Sequence, residues 1–221
     1  VIEKLSELDL LLHAAKEAGV KPMIGLRIKL QTQGSGKWRS STGHFAKFGL
    51  TTPEILAAVE RLKAENLTDC LKLVHFHIGS QVCDIRTIKD AVKEGARYYA
   101  KLRKMGLSVE YLDCGGGLGV DYDGTHTAVE SSMNYSLREY VADVVYSVQE
   151  VCKQEKVPEP NLITESGRSI VAHHALLVVN VFGSIETGAT PTELKETPEE
   201  HQVVRELREE IRSLNPKNLA E

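Results

Sequence analysis

Three short motifs follow directly after predicted β-strands, and their residue types suit an anionic ligand. The first contains His77 and Ser80, the second is Gly115-Gly116-Gly117, and the third is Glu165-Ser166-Gly167-Arg168. Glycines after a strand let bare backbone N–H groups approach an anion, and an arginine adds a bidentate contact to a phosphate group. In parallel α/β folds, sites are built at the carboxyl edge of the sheet. One ligand lying across neighbouring strand ends would therefore touch all three motifs.

The glycine triplet by itself leaves two interpretations open, a phosphate-binding loop and an ordinary tight turn. It is not a P-loop, because no Gly-Lys-Ser or Gly-Lys-Thr follows it, and it fits poorly with the dinucleotide-binding fingerprint. Ser80 likewise suits either an anion contact or a turn. A lone arginine usually forms a surface ion pair, so the significance of Arg168 comes from its position beside Glu165.

Two histidines, His75 and His77, are predicted on the same face of one strand, because side chains alternate along a β-strand. For His75 the sequence favours an ordinary histidine with its hydrogen bonds satisfied, whereas the position of His77 just before Gly79-Ser80 favours a functional role. Two histidines with this spacing are able to ligate a metal, but no carboxylate or third histidine lies nearby in the sequence. The sequence therefore predicts no metal site.

The elements that position these motifs alternate between strand and helix. An amphipathic helix ends at Gly19, and further helices are predicted to begin near Thr52, Asp84 and Ser132. The predicted strands are Pro22–Leu30, Leu71–Ile78, Val109–Asp113 and Leu162–Glu165. Such alternation implies parallel strands with helices packed outside. Periodicity alone leaves open an open doubly wound sheet and about half of a (β/α)8 barrel, which takes about 250 residues in full.

Composition narrows the class of protein. Hydrophobic residues make up 42% of the 221 residues, and the formal net charge is −4. No basic stripe indicates nucleic acid, and no apolar run reaches the roughly 18 residues that span a bilayer. The four cysteines lie far apart, without CxxC or zinc spacing, which favours reduced thiols in the cytoplasm. The chain opens inside a predicted helix without an initiator Met, so we expect it to be cut from a longer protein.

Two segments interrupt the alternation of strands and helices. Gln31–Lys47 is polar and long for a loop between a strand and a helix, so it is either functional or disordered. Beyond Gly183 the chain becomes polar and acidic, and the helix predicted over Val203–Leu214 is mostly charged. We interpret this end of the chain as a peripheral or inserted segment.

Taken together, the three motifs resemble the fold-type III pyridoxal-phosphate decarboxylases, the alanine-racemase-like barrel group that includes ornithine, diaminopimelate and arginine decarboxylases. The resemblance covers about Lys21 to Gly183, with the motifs in the family's order. It implies that His77 stacks on the cofactor ring and that Glu165 pairs with the pyridine nitrogen, which makes these two the expected catalytic residues. It also implies cofactor contacts from Arg27, Ser80, Gly115, Gly116, Gly117, Gly167 and Arg168.

Other segments narrow the resemblance to the biosynthetic arginine decarboxylases. Gly34-Ser35-Gly36-Lys37-Trp38 and Ser132-Met133-Asn134-Tyr135-Ser136 are the most specific of them. The resemblance implies conversion of L-arginine to agmatine and CO2 in polyamine biosynthesis, with pyridoxal phosphate and Mg²⁺. It also implies a cytoplasmic homo-oligomer without nucleic-acid or membrane partners. The expected substrate-proximal residues are Leu112, Asp113, Cys114, Leu118, Gly119, Val120, Asp121 and Tyr122.

The resemblance also implies the fold class and the division of the chain. We expect an α/β fold, with residues 1–183 as a partial (β/α)8 TIM-type barrel (roughly its second half) and residues 184–221 as an acidic linker and the start of a helical insertion. The family's Schiff-base lysine lies upstream of Val1, so this chain alone is predicted to be inactive.

Several alternatives stay open. The nearest is a diaminopimelate or ornithine decarboxylase, against which the two specific segments argue. An alternative of another class is a non-catalytic regulatory homologue, against which intact His77, Glu165 and Arg168 count. An unrelated phosphate-binding barrel would leave the order of the three motifs unexplained.

Overall fold

The computed structural model describes residues 1–32, 46–184 and 200–213. They belong to two compact units, Val1–His174 and Ala175–Glu221. Most of the predicted loop Gln31–Lys47, including the specific segment at 34–38, lies outside the described residues. All of the predicted site residues belong to the first unit.

A parallel sheet of four strands forms the centre of the first unit, in the order β1-β2-β3-β4. The strands are β1 (Ile24–Arg27), β2 (Leu71–His75), β3 (Tyr111–Asp113) and β4 (Asn161–Ile163). Ile2 adds a parallel bridge to Leu26 beside β1. The strand order follows the chain, without the reversal that defines a doubly wound sheet. The predicted α/β fold with parallel strands is confirmed, and all four carboxyl ends lie at one edge.

Helices connect the strands and continue past β4. They are α1 (Leu5–Glu17), α2 (Thr52–Ala64), α3 (Ile85–Lys104), α4 (Leu137–Glu155) and α5 (Gly167–Val171). Short 3₁₀ turns lie at Thr68–Cys70 and Ala172–His174.

Local side-chain chemistry determines where the long helices begin. The Asp84 carboxylate accepts a hydrogen bond from the backbone N–H of Arg86 at 3.0 Å, which confirms the predicted N-cap of α3. The Ser136 hydroxyl accepts from the Glu139 N–H at 3.2 Å, and the Glu139 carboxylate accepts from the Ser136 N–H at 2.7 Å. This reciprocal capping box makes α4 begin later than the predicted start near Ser132.

The two faces of the sheet differ in chemistry. Leu26, Val74 and Leu112 are fully buried in the core that the sheet shares with the helices. The alternate side chains point to the other face, where Arg27 pairs in register with His75, and His75 with Asp113. The apolar face packs the strands into the core. The polar side chains of Arg27, His75 and Asp113 at their carboxyl ends are therefore held in fixed positions.

Helical periodicity predicts a buried face of α4 that consists of Leu137, Tyr140, Val141, Val144, Val148 and Val151, and this prediction is partly wrong. Leu137 and Val141 are 59% and 50% exposed, and the same error affects Leu56 of α2, which is 47% exposed. The buried face of α4 includes Ser147 and Cys152 instead. Two apolar stripes run along this helix, and its packing against α3 decides which one is buried. The predicted residues of α4 that are buried are Tyr140, Val144, Val148 and Val151.

The second unit, Ala175–Glu221, contains α6 (Gln202–Ser213), close to the predicted helix over Val203–Leu214. An ion pair of 2.5 Å joins Arg208 to Glu200 near the beginning of this helix. The predicted domain division after Gly183 falls inside this unit and stays a prediction. Across the described ranges, no helix combines the length and the apolar character needed to cross a bilayer.

All four cysteines are free and buried, and two have strongly raised pKa values. Burial raises the pKa of Cys114 to about 12 and that of Cys152 to about 11. Because the thiolate is the reactive form, we expect both residues to resist iodoacetamide at pH 8 in the native protein and to react in denaturant. Mass spectrometry of the tryptic peptides measures this. Rapid native labelling of Cys114 would contradict its buried environment.

Candidate cofactor site

A row of ionisable side chains crosses the sheet at its carboxyl edge. Arg27, His75 and Asp113 lie in register on neighbouring strands. The backbone ladder continues past the last strand, because the Glu165 N–H donates to the Gly115 carbonyl at 2.9 Å. Glu165 is thereby brought beside the end of β3. The sequence separates these residues widely, and the parallel topology brings them together.

His75, Asp113 and Glu165 form a compact cluster. The His75 Nδ1 atom lies 3.0 Å from Asp113 Oδ2 and 3.8 Å from Glu165 Oε1. The 3.0 Å contact lacks the direction of an N–H···O hydrogen bond, so Nδ1 is buried without a hydrogen-bond partner among the described residues. The Asp113 carboxylate also accepts the Gly115 N–H at 2.9 Å. Burial alone would raise the pKa of Asp113, but contacts from His75 and the Gly115 N–H outweigh it and lower the pKa.

His77 lies at the exposed edge of this cluster, two residues beyond His75 at the end of β2. Its Nδ1 atom accepts a hydrogen bond from the backbone N–H of Gly116 at 3.3 Å, which assigns the remaining ring proton to Nε2. Partial burial lowers the pKa of His77, and the positive charge of Arg27 lowers it further. His77 is therefore a neutral imidazole at pH 7, held beside the glycine turn.

The glycine triplet is a tight turn that the end of β2 approaches closely. Gly115 has a φ of +65°, and a Cβ there would lie 2.1 Å from the Phe76 carbonyl oxygen. A Cβ at Gly116 would lie 3.2 Å from His77 Cε1 and 3.1 Å from the Glu165 carbonyl oxygen. The missing side chains therefore leave space between His77 and Glu165. Both interpretations of the triplet stay compatible with this geometry, since the tight turn also exposes backbone to a ligand.

A polar cluster joins the motifs after β2 and β4. The Arg168 guanidinium donates to the Ser80 hydroxyl at 2.7 Å and to the Tyr122 hydroxyl at 2.9 Å. Arg168 and Tyr122 are exposed, so these groups are accessible to an anion. The sequence predicted Ser80 and Arg168 as phosphate contacts and Tyr122 as a substrate contact. The structure places all three in one cluster.

Two other predicted contacts have different surroundings. The Arg27 guanidinium forms an ion pair with Glu3 and lies over the Phe48 ring, 5.3 Å from its centroid. Arg27 therefore faces the Glu3 side of the sheet as well as His77. Gly167 is exposed at the start of α5, and an added Cβ there would meet no atom within 4 Å.

Most of the predicted substrate-proximal residues are buried. Leu112 and Cys114 belong to the hydrophobic core, and Asp113 is 7% exposed beneath Glu165. Of the eight, Tyr122 is the exposed one and Asp121 is half-buried. The remaining buried members are Leu118, Gly119 and Val120. Their direct contact with a substrate stays a prediction.

Two residues that the sequence reasoning passed over fix the loop after the glycine turn. The Gln81 side chain accepts the Val120 N–H at 3.0 Å and donates to the Val120 carbonyl at 2.7 Å. The Tyr135 hydroxyl accepts the Gly119 N–H at 2.9 Å and donates to the Val82 carbonyl at 2.7 Å. The position of Gln81, a polar residue directly after Gly79-Ser80, was the one sequence feature that indicated a role for it near the site. Tyr135 belongs to the specific segment Ser132–Ser136, but nothing local in the sequence indicated its contact with this loop.

The Tyr135 hydroxyl supports a stability prediction. Replacing Tyr135 with Phe leaves the buried Gly119 N–H and Val82 carbonyl unpaired, which should cost about 1–3 kcal/mol of unfolding free energy. Urea unfolding monitored by circular dichroism measures this loss. Tyr140→Phe is the matched control, because that ring stacks on Tyr135 and its hydroxyl forms no hydrogen bond with the described residues. Equal losses in the two variants would contradict the bridging role.

The segment from Asp121 to Ser132 is closed by its own side chains. Asp121 accepts hydrogen bonds from the Gly124 N–H at 3.0 Å and the Ser132 hydroxyl at 2.6 Å. Asp123 accepts from the Ser131 hydroxyl at 2.5 Å and from the Thr125 N–H at 3.0 Å. Hydrogen bonds from Ser131 and Thr125 lower the pKa of Asp123 to about 2. The loop is thus an internally bonded unit that carries Tyr122 to the site.

The chemistry of these side chains fits pyridoxal phosphate. The Arg168–Ser80–Tyr122 cluster suits a phosphate group, since a guanidinium and hydroxyls are its usual donors. The Glu165 side chain is 53% exposed and offers a carboxylate to a protonated ring nitrogen. The space that a Cβ at Gly116 would fill lies between His77 and Glu165. The described residues therefore fit the cofactor that the resemblance implies.

The same residues fit Mg²⁺ poorly. Of the described residues, one group could hold a metal, His75, Asp113 and Glu165, whose ligand atoms lie within 4.8 Å of one another. The two carboxylates, which sequence spacing could not place beside His75, come from the end of β3 and from the segment after β4. An imidazole nitrogen in the set suits Zn²⁺ better than Mg²⁺, which takes oxygen ligands in an octahedral arrangement.

Comparison with known sequences identifies what this chain is similar to. A family model described as the pyridoxal-binding domain of pyridoxal-dependent decarboxylases matches residues 1–172. The biosynthetic arginine decarboxylase of Rhodopirellula baltica is 54% identical over 188 residues, which cover 85% of this chain and 28% of that protein. The enzyme of the same name from Deinococcus radiodurans is 50% identical over 225 residues, covering 100% of this chain and 34% of its own length. The chain thus spans about a third of the length of these curated relatives.

Solved structures show the same likeness. The biosynthetic arginine decarboxylase of Campylobacter jejuni aligns with a TM-score of 0.69 at 35% identity, over 98% of this chain and 35% of that chain. Diaminopimelate decarboxylase from Helicobacter pylori, complexed with L-lysine, aligns with a TM-score of 0.63 at 27% identity. That alignment covers 76% of this chain and 39% of the neighbour.

Proposed function

Because this chain belongs to the pyridoxal-dependent decarboxylase family through its pyridoxal-binding domain, we propose that it forms the cofactor site of an enzyme that converts L-arginine to agmatine and CO2. One observation carries the proposal. His77 and Ser80 follow β2, whereas Glu165 and Arg168 follow β4, and the four residues meet at one edge of the sheet beside the glycine turn after β3. They do so in a chain about half identical to biosynthetic arginine decarboxylases.

The choice of arginine rests on similarity. The relatives named biosynthetic arginine decarboxylase are 54% and 50% identical, whereas the diaminopimelate decarboxylase neighbour is 27% identical. No residue of the described part is assigned to the guanidinium of the substrate.

Each site residue has a separate task in this proposal. Pyridoxal phosphate, when bound, delocalises the negative charge that remains on the substrate after CO2 leaves. The Glu165 carboxylate keeps the proton on the ring nitrogen, because a nearby negative charge favours the protonated form. His77, a neutral ring held by Gly116, restrains the face of the cofactor. Ser80, Arg168 and the exposed backbone of the glycine turn hold the phosphate.

The proposal extends to the fold and the assembly. The four strands in chain order would form about half of a (β/α)8 wall, and the segment beyond it an acidic extension. A homo-oligomer in the cytoplasm is proposed from the resemblance and from the free thiols. A magnesium requirement is retained from the resemblance alone, and no step above uses the metal.

The test uses the complete open reading frame that contains this sequence. The purified protein is supplied with pyridoxal phosphate and Mg²⁺, and CO2 release is measured from L-arginine, L-ornithine, L-lysine and diaminopimelate, each offered separately. Release from arginine alone supports the proposal. Release from another substrate keeps the cofactor site and rejects arginine. A bound cofactor with no release from any substrate favours a regulatory homologue.

A further inference from the structure

His75 is the buried member of the cluster for which neither the resemblance nor the comparisons provide a role. Its side chain is 10% exposed, and its Nδ1 atom faces Asp113 at 3.0 Å and Glu165 at 3.8 Å. A buried ring nitrogen without a hydrogen-bond partner is unusual, because such atoms are normally paired. The two nearest acceptors are both carboxylate oxygens, so the ring nitrogen lies in negatively charged surroundings.

Two carboxylates, those of Asp113 and Glu165, lie close together in this cluster, and His75 lies beside both. Asp113 is buried and held as a carboxylate by the Gly115 N–H, and Glu165 brings a second carboxylate to within 4.8 Å of it. Two like charges at this separation repel each other, more strongly where water is excluded. The Nδ1 atom of His75 lies close to a carboxylate oxygen of each, at 3.0 Å from Asp113 and 3.8 Å from Glu165. An N–H at this position, which a neutral imidazole also offers, attracts both carboxylates and opposes rotation of the Glu165 side chain away from the cluster.

The backbone of Glu165 and its side chain differ in how firmly they are held. Its backbone N–H is fixed on the Gly115 carbonyl at 2.9 Å, while its side chain is 53% exposed. The backbone is therefore immobilised and the carboxylate is not. Among the described groups facing the cluster, Arg27 is engaged by Glu3, and His77 accepts from Gly116. His75 is the group left to restrain the Glu165 carboxylate.

We infer that His75 is a positioning residue that acts through Glu165, holding its carboxylate toward the ring nitrogen of the cofactor. The inference rests on the proposed function only in naming pyridoxal phosphate as the cofactor. Residues behind a ligand-contacting carboxylate commonly alter ligand affinity by about 10- to 100-fold when they are removed.

The test compares two isosteric variants in the complete protein. In His75→Asn an amide atom occupies nearly the place of Nδ1, whereas in His75→Gln the amide lies near the place of Nε2. We expect His75→Gln to weaken pyridoxal phosphate binding by about 10- to 100-fold and to change the absorption spectrum of the bound cofactor. His75→Asn should recover most of the affinity. Thermal unfolding of the cofactor-free proteins checks that both variants fold.

A double-mutant cycle decides whether His75 works through Glu165. In a Glu165→Gln background, His75→Gln should cost less than about 3-fold in cofactor affinity, because the carboxylate that it positions is already gone. Equal losses in both backgrounds, or equal losses in the Asn and Gln variants, would overturn the inference. So would stoichiometric zinc in the protein as purified, removed by either His75 variant, since the cluster would then be a metal site. These readouts do not need turnover, so they stand even if arginine is not the substrate.

Discussion

Replacing Glu165 with Gln should lower kcat for arginine decarboxylation by about 10²–10³-fold, the loss typical of removing one preorganised electrostatic contact. An amide has the shape of the carboxylate but carries no negative charge, so it cannot keep the ring nitrogen protonated. The bound cofactor then becomes a weaker electron sink. KM for arginine should change little, because Glu165 faces the cofactor and not the substrate in this proposal.

The measurement is steady-state CO2 release by the complete protein saturated with pyridoxal phosphate, together with the absorption spectrum of the bound cofactor. Glu110→Gln is the matched control, because Glu110 precedes β3 at the opposite end of the strand and pairs with Lys72 on the surface. That variant should retain full activity. A Glu165→Gln enzyme within about 3-fold of the wild type would remove Glu165 from the proposed mechanism.

Replacing Gly115 with Ala should be the most damaging addition of a single methyl group to the site. The new Cβ would lie 2.1 Å from the Phe76 carbonyl oxygen, a distance that backbone atoms cannot tolerate without moving. The left-handed φ of +65° adds strain of about 1–2 kcal/mol for any residue with a Cβ. Displacing the packed end of β2 adds about 1–3 kcal/mol. We expect a total loss of about 2–5 kcal/mol in unfolding free energy and loss of cofactor retention.

Gly124→Ala separates backbone strain from collision. Gly124 has a similar φ of +75°, but an added Cβ there meets no atom within 4 Å. Its loss should therefore stay near the strain of about 1–2 kcal/mol, with the cofactor retained. Urea midpoints and dialysis against cofactor-free buffer measure the two effects. If the two variants lose the same stability, the close approach of β2 to the glycine turn is not what requires glycine at position 115.

The sequence supported the general position of the site well. Strand–helix alternation required parallel strands, and parallel strands place their carboxyl ends at one edge, so Ser80, Gly115 and Glu165 had to converge. Asp84 was recognisable as a cap because its effect is local and depends only on the following residues. These inferences needed the order of elements but no knowledge of packing.

What could not be predicted depends on contacts between distant residues. His75 was interpreted as an ordinary histidine because its two carboxylate neighbours, Asp113 and Glu165, come from the end of β3 and from the segment after β4. Tyr135 reaches the loop after the glycine turn through a fold of the segment before α4, a helix that itself packs against α3. The buried stripe of α4 was assigned partly to Val141 for the same reason, since helical periodicity cannot choose between two apolar stripes on one helix.

The loop from Asp121 to Ser132 has a consequence for how such enzymes diverge. Its internal bonds, from Asp123 to Ser131 and from Asp121 to Ser132, fix much of its shape, and Gln81 and Arg168 join its two ends to the segments after β2 and β4. Tyr122 is the residue of this loop that joins the cluster with Ser80 and Arg168, whereas Glu165 and His77 lie outside the loop. An insertion or exchange of this segment could therefore alter the side chains presented to a substrate while leaving Glu165 and His77 in place. A related enzyme could therefore acquire a preference for another amino acid by replacement of this loop, while the residues proposed to contact the cofactor ring stay the same.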